Sequence, residues 1–204
     1  MFEQCELDKF SAFIFDMDGT LVDSMPFHMD AWEIACSEFG VKFSREQLCE
    51  YGGIPTKKLV SMLIAQQDLS IDADAFVQRK VSIFLENIDK VKIFPEMLSL
   101  VERYHGKVAM GVGTGAPRDQ AQYILRSVGL DKYMSVLVSA DDVVNHKPNP
   151  DTFLKVAEIL DVLPEKSLVF EDTTVGIQAG KSAGMRTIMV NNGVYIKAQI
   201  NHDL

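Results

Sequence analysis

Short apolar runs that end abruptly in polar residues are the main feature of the hydrophobic pattern in this chain. The first run covers residues 12–15, and its length and its aromatic and β-branched residues predict a buried strand. Four later runs of the same kind predict further strands. Their ranges are 108–114, 134–139, 167–171 and 187–190.

A helical pattern fills the long stretch between the first and the second predicted strands. Ser24 and Pro26 indicate the start of a helix, and apolar residues recur at helical spacing until Gly40. Ser44 caps a second predicted helix, which ends at Gly52–Gly53. Two further helices are predicted over 56–66 and 72–87. Four helices in succession favour a small bundle.

From residue 94 onward, predicted strands alternate with predicted helices. These helices cover 116–129, 150–160 and 174–183. Repeated strand–helix units imply a parallel sheet with helices on both faces. We therefore expect an α/β fold in which residues 1–23 and 94–204 form the sheet core and residues 24–93 form a helical insert after the first strand.

Composition narrows the class of partner. The chain has 204 residues, of which 47% are hydrophobic and 24% charged, so it can bury a full core. Its formal net charge of -9 argues against nucleic acid or an anionic membrane surface as a partner. A small anionic substrate would need local positive charge from a metal ion or from a few lysines.

Cysteine usage and the apolar runs indicate a compartment. Cys5, Cys36 and Cys49 are odd in number and form no CxxC pair, which indicates reduced thiols that act as small buried hydrophobes. The first ten residues carry three acids and lack the apolar stretch of a signal peptide. No apolar run approaches the roughly 20 residues of a membrane-spanning helix. We expect a cytoplasmic protein without a membrane partner.

Two carboxylates, Asp16 and Asp18, follow the first strand directly. Open α/β sheets place their ligands at the carboxyl ends of strands. Two acids one residue apart repel each other, and they are costly near a sheet unless a cation or a catalytic task holds them there. Gly19 then permits a turn that a side chain would block. An ordinary strand-to-turn junction has the same local pattern, so the later strand ends must decide between the two interpretations.

The later strand ends carry unusual residues as well. A glycine-rich stretch, residues 111–115, precedes a predicted helix start, where amides and the Thr114 hydroxyl can hold a phosphate. Lys147 lies in a loop that Pro148 and Pro150 stiffen. A second acidic pair, Glu171–Asp172, ends the fourth strand, and an N-cap role explains only one of these two acids.

A parallel sheet brings these strand ends to one edge. The resulting set of four acids, one lysine and one threonine suits a hard cation, and Mg²⁺ prefers a few carboxylates together with substrate phosphate and water. No cluster of histidine and cysteine favours zinc, and no GxxxxGK[ST] loop indicates a nucleotide site.

Four of these segments, in this order, resemble the motifs of the haloacid dehalogenase superfamily. They are Asp16-Met17-Asp18-Gly19-Thr20, Thr114, Lys147 and Glu171-Asp172. The helical insert resembles the small cap of the β-phosphoglucomutase-like subfamily. The surrounding residues look like those of bacterial sugar-phosphate phosphatases of the fructose-1-phosphate or 6-phosphogluconate type. The resemblance implies a Rossmann-like parallel sheet core with a four-helix cap that selects the substrate.

The resemblance also implies a role for each core motif. Asp16 would attack phosphorus and form an aspartyl-phosphate, and Asp18 would protonate the leaving alkoxide and then activate water. Mg²⁺ would be held by the Asp16 carboxylate, the Asp18 backbone carbonyl and Asp172, with Glu171 bound directly or through water. Thr114, Gly115 and Ala116 would form the phosphate loop, and Lys147 would offset the charge of the nucleophile and the phosphate.

Substrate-binding residues of the cap are implied in the same way. The candidates are His28, Gly53, Lys57, Lys58 and Lys80. Trp32 lies where such caps have a tryptophan that faces the cleft, although a place in the helical core explains it equally well. Thr56 replaces the arginine with which the mutase holds a second phosphate, and Ala116 and Arg118 replace two other polar mutase positions.

We therefore expect a Mg²⁺-dependent phosphatase for small sugar phosphates that works as a monomer or weak dimer. The alternative is a β-phosphoglucomutase, which would need a bisphosphate primer. A non-catalytic binding module is disfavoured because the acids, Thr114 and Lys147 are all present. Removal of a halide is disfavoured too, since that chemistry has no use for Asp18 or a metal.

Overall fold

The computed structural model describes the chain over residues 6–50 and 56–195. The chain divides into two compact units. The sheet unit consists of Met1–Asp23 together with Lys92–Leu204, and the helical unit consists of Ser24–Val91. Cys5, Gly53 and the predicted helix end at Gly52–Gly53 lie outside the described residues.

The sheet unit is built on a single sheet in which five strands run parallel. Its order is β3-β2-β1-β4-β5-β6, so β1 lies in the interior of the sheet. The strands are β1 (Ala12–Phe15), β2 (Ala109–Gly113), β3 (Val136–Val138), β4 (Ser167–Glu171), β5 (Arg186–Asn191) and β6 (Val194–Tyr195). This topology confirms the predicted α/β fold with a parallel sheet.

One strand was not expected. β6 pairs antiparallel with β5 through a turn in which Asn192 and Gly193 both have positive φ, so 187–190 is not the last strand. A two-residue strand is too short to show an alternating pattern, whereas the Asn-Gly pair is a hairpin signal.

The described residues contain eight α-helices. They are α1 (Met25–Phe39), α2 (Arg45–Glu50), α3 (Thr56–Gln66), α4 (Ala73–Leu85), α5 (Pro95–Tyr104), α6 (Arg118–Ser127), α7 (Asp151–Ile159) and α8 (Thr174–Ser182). The predicted elements leave out α5, although four of its residues are buried at helical spacing: Met97, Leu100, Val101 and Tyr104. No described helix has the length and apolar character needed to cross a bilayer.

β1 is the buried centre of the sheet. All four of its residues are fully buried, and the ring of Phe15 stacks on that of Phe170 in β4 with centroids 5.0 Å apart. Phe15 is in register with Val112 on one side and with Phe170 on the other. The residues that follow these three positions therefore emerge side by side at the carboxyl edge of the sheet.

Two glycines of β2 let α7 lie close to the sheet. A Cβ on Gly111 would be 2.7 Å from Val156 Cγ1, and a Cβ on Gly113 would be 3.1 Å from the Phe153 ring. Gly111 and Gly113 thus belong to β2, in agreement with the predicted strand over 108–114, and only Thr114 and Gly115 of the glycine-rich stretch lie beyond the strand. Close approach of α7 also brings Phe153 beneath the loop that carries Lys147.

The helical unit has an aromatic core. Trp32 of α1 is buried, and its ring lies 5.4 Å from Phe76 of α4 and 5.7 Å from Phe43. Trp32 is therefore a core residue of the helical unit. Ser44 accepts a hydrogen bond from the Gln47 N–H and donates its own N–H to the Gln47 side chain, which explains the start of α2.

Candidate active site

Asp16 is the first residue after β1, and it is held to the neighbouring strand. Its backbone N–H donates to the Phe170 carbonyl at 2.9 Å, and the residue is 7% exposed. Gly19 has a φ of +82°, and its N–H donates to the Val22 carbonyl at 2.9 Å, so the chain turns sharply after the two acids. Asp18 is half-buried within this turn.

Lys147 reaches the centre of the sheet edge from the loop after β3. Its Nζ donates to Asp16 Oδ1 at 2.6 Å and to Glu171 Oε1 at 3.1 Å. Its side chain is 10% exposed, and its Nζ lies 4.5 Å from the centroid of the Phe153 ring. The lysine therefore joins the acid at the end of β1 to the acid at the end of β4.

Glu171 is buried and uses both carboxylate oxygens within the sheet unit. Oε1 accepts from Lys147, and Oε2 accepts from the backbone N–H of Thr173 and from the Thr173 hydroxyl at 2.9 Å. Thr173 is the N-cap of α8, since its hydroxyl accepts from the Gly176 N–H at 3.0 Å. The N-cap role that would explain one acid of the Glu171–Asp172 pair therefore belongs to Thr173.

Asp172 turns toward the β1 side of the site. Its Oδ1 accepts from the hydroxyl of Thr20, a fully buried residue, at 3.1 Å. Asp16, Glu171 and Asp172 each place a carboxylate oxygen within 4.8 Å of those of the other two. Both predicted acidic motifs thus contribute to one cluster.

The electrostatics of this cluster favour a bound cation. Burial raises the pKa of Asp16 well above its usual value, and Glu171 and Asp172 add to the rise while Lys147 opposes it. Burial and the charge of Glu171 raise the pKa of Asp172 to about 7. Burial lowers the pKa of Lys147, but Asp16 and Glu171 outweigh that effect and leave it above its usual value. Three carboxylates face one ammonium, and a divalent cation with oxygen ligands would balance the excess.

Thr114 lies immediately beyond β2, on the other side of β1 from β4. It is buried, its N–H donates to the Val138 carbonyl, and its hydroxyl oxygen accepts from the Ala116 N–H at 3.0 Å. Ala116 thus uses its amide within the loop, whereas Gly115 is exposed. The loop is a compact turn before α6, with the Thr114 hydroxyl inside it.

A polar network ties this loop to the loop after β3. The Arg118 guanidinium donates to Asp142 and to the Leu137 carbonyl, and the Arg118 N–H donates to Asp141 at 2.8 Å. Asp142 also accepts from the N–H and the hydroxyl of Ser139, each at 2.7 Å. The segment that carries Lys147 and the segment that carries Thr114 are therefore held together by side chains.

The helical unit places two of its candidates in contact. Lys80 of α4 is 6% exposed, and its Nζ lies 3.0 Å from His28 Nδ1. The His28 ring stacks on Phe84, with centroids 3.9 Å apart. A helical lysine is usually solvated, so the burial of Lys80 departs from that expectation.

The other lysines of the helical unit lie on its surface. Lys57 is exposed and forms an ion pair with Asp74 at 2.6 Å, and Lys58 is exposed on α3. The structure thus joins Asp16, Lys147 and Glu171 by hydrogen bonds, with an Asp172 oxygen within 4.8 Å of the other carboxylates and Thr114 at the next strand end. It gives Lys57 and Lys58 no comparable setting.

Several contributing residues were given no role in the sequence prediction. Thr20 and Thr173 hold the two acids of the second pair, and Asp142 binds Arg118. Thr173 could have been identified as an N-cap because it precedes a helical pattern. Asp142 follows Ser139 at capping-box spacing, which is also a signal in the sequence.

Comparisons with known proteins identify a family and relatives for this chain. A family model described as haloacid dehalogenase-like hydrolase matches residues 13–190. The chain is 34% identical over 184 residues to fructose-1-phosphate phosphatase YqaB of Escherichia coli, covering 90% of this chain and 97% of that protein. It is 33% identical over 181 residues to a phosphorylated carbohydrates phosphatase of Thermotoga maritima, covering 87% of this chain and 83% of that protein.

A solved structure shares the fold. β-Phosphoglucomutase from Clostridium difficile superposes with a TM-score of 0.80 at 24% identity, covering 89% of this chain and 85% of that chain.

Proposed function

The chain belongs to the haloacid dehalogenase-like hydrolase family, and we propose that it is a Mg²⁺-dependent phosphatase that hydrolyses small sugar phosphates. Family membership confirms the resemblance drawn from the four motifs. Two curated relatives are named as phosphatases, in agreement with a phosphoric monoester hydrolase. The observation that carries the proposal is the contact of Lys147 with both Asp16 and Glu171 beside Asp172.

Asp16 is the proposed nucleophile. One of its carboxylate oxygens forms a bond to phosphorus, the bond from phosphorus to the sugar oxygen breaks, and Asp18 supplies the proton to that oxygen. Water then attacks the aspartyl-phosphate, Asp18 takes the proton from that water, and inorganic phosphate leaves Asp16 free again. Each phosphomonoester and water thus give one alcohol and one phosphate.

Charge stabilisation is the task of the surrounding residues, since phosphoryl transfer depends mainly on positioning and electrostatics. Lys147 offsets negative charge on Asp16 and on the phosphoryl group. Thr114 would donate its hydroxyl hydrogen to a phosphoryl oxygen, because its oxygen already accepts from Ala116. Gly115 adds a backbone amide beside it.

Mg²⁺ is the proposed cofactor. The Asp16 and Asp172 carboxylates and the Asp18 carbonyl would hold it, with Glu171 nearby, and it would neutralise charge on the phosphoryl oxygens. Hard oxygen donors and an excess of buried negative charge are the features of this structure that fit the ion.

The helical unit is proposed to select the substrate. His28 and Lys80 are its candidate contacts to the sugar phosphate, and Gly53 is a third candidate by resemblance. Lys80 supports this role because it places a cationic group beside His28 in the helical unit, and a phosphate group is an anion that lysine binds well.

The experiment is phosphate release from a panel of sugar phosphates, with Mg²⁺ and with EDTA. The panel includes fructose 1-phosphate, 6-phosphogluconate and β-glucose 1-phosphate. We expect Mg²⁺-dependent release from at least one of them. Undiminished release in EDTA would refute the metal assignment. Conversion of β-glucose 1-phosphate to glucose 6-phosphate only after addition of a bisphosphate would indicate the mutase instead.

A further inference from the structure

Gly176 occupies the third position of α8, and a side chain there would collide with Glu171. A Cβ built on Gly176 would lie 1.8 Å from Glu171 Oε1, 2.0 Å from Cδ and 2.6 Å from Cγ. Gly176 is buried, and its N–H is held by the hydroxyl of the N-cap, Thr173. The Glu171 side chain therefore fills the space that a side chain at position 176 would need.

This arrangement is a capping box in which the acid comes from another element. In the usual box, an acid at the third helical position accepts the N–H of the N-cap residue. Here the N-cap Thr173 donates its N–H to Glu171 Oε2, and Glu171 is the last residue of β4. Because Oε2 is committed to the helix end, Oε1 is directed at Lys147 Nζ.

A glycine in a helix makes the helix less stable than an alanine would, so glycine at position 176 needs a structural reason. We propose that Gly176 is a positioning residue for the Lys147–Glu171 pair. Its missing side chain lets the Glu171 carboxylate lie over the first turn of α8, and from there Glu171 holds Lys147 against Asp16. This inference deepens the proposed function and rests on it, because it concerns the lysine that serves the nucleophile.

Gly180 provides a matched control in the same helix. It is also buried, and a Cβ there would lie 2.6 Å from the Thr187 side chain and 3.4 Å from Val169 Cβ. Gly180→Ala therefore introduces a milder clash against the sheet from the same helix and does not contact Glu171.

The test compares Gly176→Ala, Gly180→Ala, Glu171→Ala and the double variant Gly176→Ala/Glu171→Ala. We expect Gly176→Ala to lower kcat by about 10²-fold, the scale of an ångström-sized misplacement, with a smaller change in KM. Gly180→Ala should lower the melting temperature and keep kcat within about twofold. In the Glu171→Ala background, Gly176→Ala should lower kcat no further, because the added methyl has no carboxylate to displace.

Two results would overturn the inference. One is a kcat in Gly176→Ala equal to that of the wild type. The other is an equal fold-loss of kcat when Gly176→Ala is introduced into the wild type and into Glu171→Ala. If Gly176→Ala fails to fold, the double variant should recover folding, and its failure to do so would also count against the role.

Crystal structures separate this inference from the proposed function. In Gly176→Ala, the distance from Glu171 Oε1 to Lys147 Nζ should exceed the 3.1 Å of the native protein. If wild-type protein releases phosphate from no compound, the proposed function fails, while this distance still tests the positioning role.

Discussion

Asp16, the proposed nucleophile, lies in a setting that is almost closed to solvent. The paired ammonium of Lys147 keeps the carboxylate oriented, and its contact at 2.6 Å is a charge-assisted hydrogen bond. The same burial that sharpens this contact makes ionised carboxylates costly. The ionised Asp16 carboxylate therefore needs a cation beside it, such as the Lys147 ammonium.

At this scale, Asp16→Asn tests the nucleophile. The amide cannot form the acyl phosphate, so kcat should fall by about 10⁴-fold or more, as for other essential nucleophiles. The measurement is phosphate release on the best substrate of the panel, together with a thermal melt that shows a folded protein. Turnover within tenfold of the wild type would exclude Asp16 as the nucleophile.

Proton binding should compete with Mg²⁺ binding at Asp172. Burial and Glu171 raise the pKa of Asp172 to about 7, so the metal-free folded protein binds more protons than the unfolded chain between about pH 4 and 7. Its stability without metal should therefore decline as the pH rises through that range. Mg²⁺ needs the ionised carboxylate and should stabilise the protein more at pH 8 than at pH 5.

Melting temperatures with Mg²⁺ and with EDTA across this pH range measure the effect. Asp172→Asn serves as the control, because it should reduce the Mg²⁺ shift at every pH. An equal Mg²⁺ shift at pH 5 and pH 8 would contradict the competition.

At the scale of elements, loops and helix starts are joined in pairs around the site. The end of β4 is fastened to the start of α8 through Thr173, and the start of α6 is fastened to the loop after β3 through Asp142. The same two acids, Glu171 and Asp142, also accept from the backbone N–H groups of Thr173 and Ser139, and such groups need partners near helix starts and strand ends. The loops that carry Thr114 and Lys147 are stiffened as a result.

Asp142→Asn tests the second fastening. The variant loses charge-assisted hydrogen bonds from Arg118 and Ser139. Its free energy of unfolding at pH 7 should therefore be about 1–2 kcal/mol lower than that of the wild type. The hydrogen bond from Arg118 lowers the pKa of Asp142. The ionised Asp142 carboxylate therefore stabilises the fold fully above its unfolded pKa of about 4, and this stabilisation is lost as the pH falls below that value. The difference in free energy of unfolding between Asp142→Asn and the wild type should therefore become smaller below pH 4.

Denaturant unfolding of both proteins at pH 7 and pH 3 provides the measurement. Asp131→Asn, at an exposed position, is the matched control and should change stability little. A difference that stays constant between the two pH values would rule out the ionised Asp142 as its source.

Most elements were predictable from the sequence at this scale, and the exceptions have physical reasons. α3 and β4 match their predicted ranges, because apolar spacing and flanking polar residues mark both ends. β6 was missed because two residues show no period. Gly111 and Gly113 lie within the predicted strand 108–114, but the close approach of α7 to them was not predicted, because glycine alone does not distinguish a turn from a close helix approach.

At the scale of the whole molecule, two units divide the proposed work. The sheet unit holds the acids and Lys147, and the helical unit holds Lys80 with His28. A protein with a net charge of -9 needs local positive charge to attract a sugar phosphate, and these lysines and the proposed Mg²⁺ would supply it. We expect chemistry from the first unit and selection from the second.

Lys80→Met tests this division. Loss of one charge-assisted contact costs about 1.5–3 kcal/mol, so KM for the preferred sugar phosphate should rise by roughly 10- to 100-fold with a smaller change in kcat. Lys42→Met, at an exposed position of the same unit, is the control and should leave KM unchanged. An unchanged KM in Lys80→Met would show that the helical unit selects its substrate by other residues.

The sequence by itself determined most of the strands and helices, apart from α5 and β6, and the identity of the acids, the threonine and the lysine at the strand ends. These are local properties, since periodicity and short polar motifs lie within a few residues of each other. Only the tertiary structure decided their pairing. Lys147 meets Asp16 from 131 residues away and Thr20 meets Asp172 across 152, and the space for Glu171 depends on a missing side chain in the next helix. Such contacts depend on how the strands and helices pack, which no local pattern encodes.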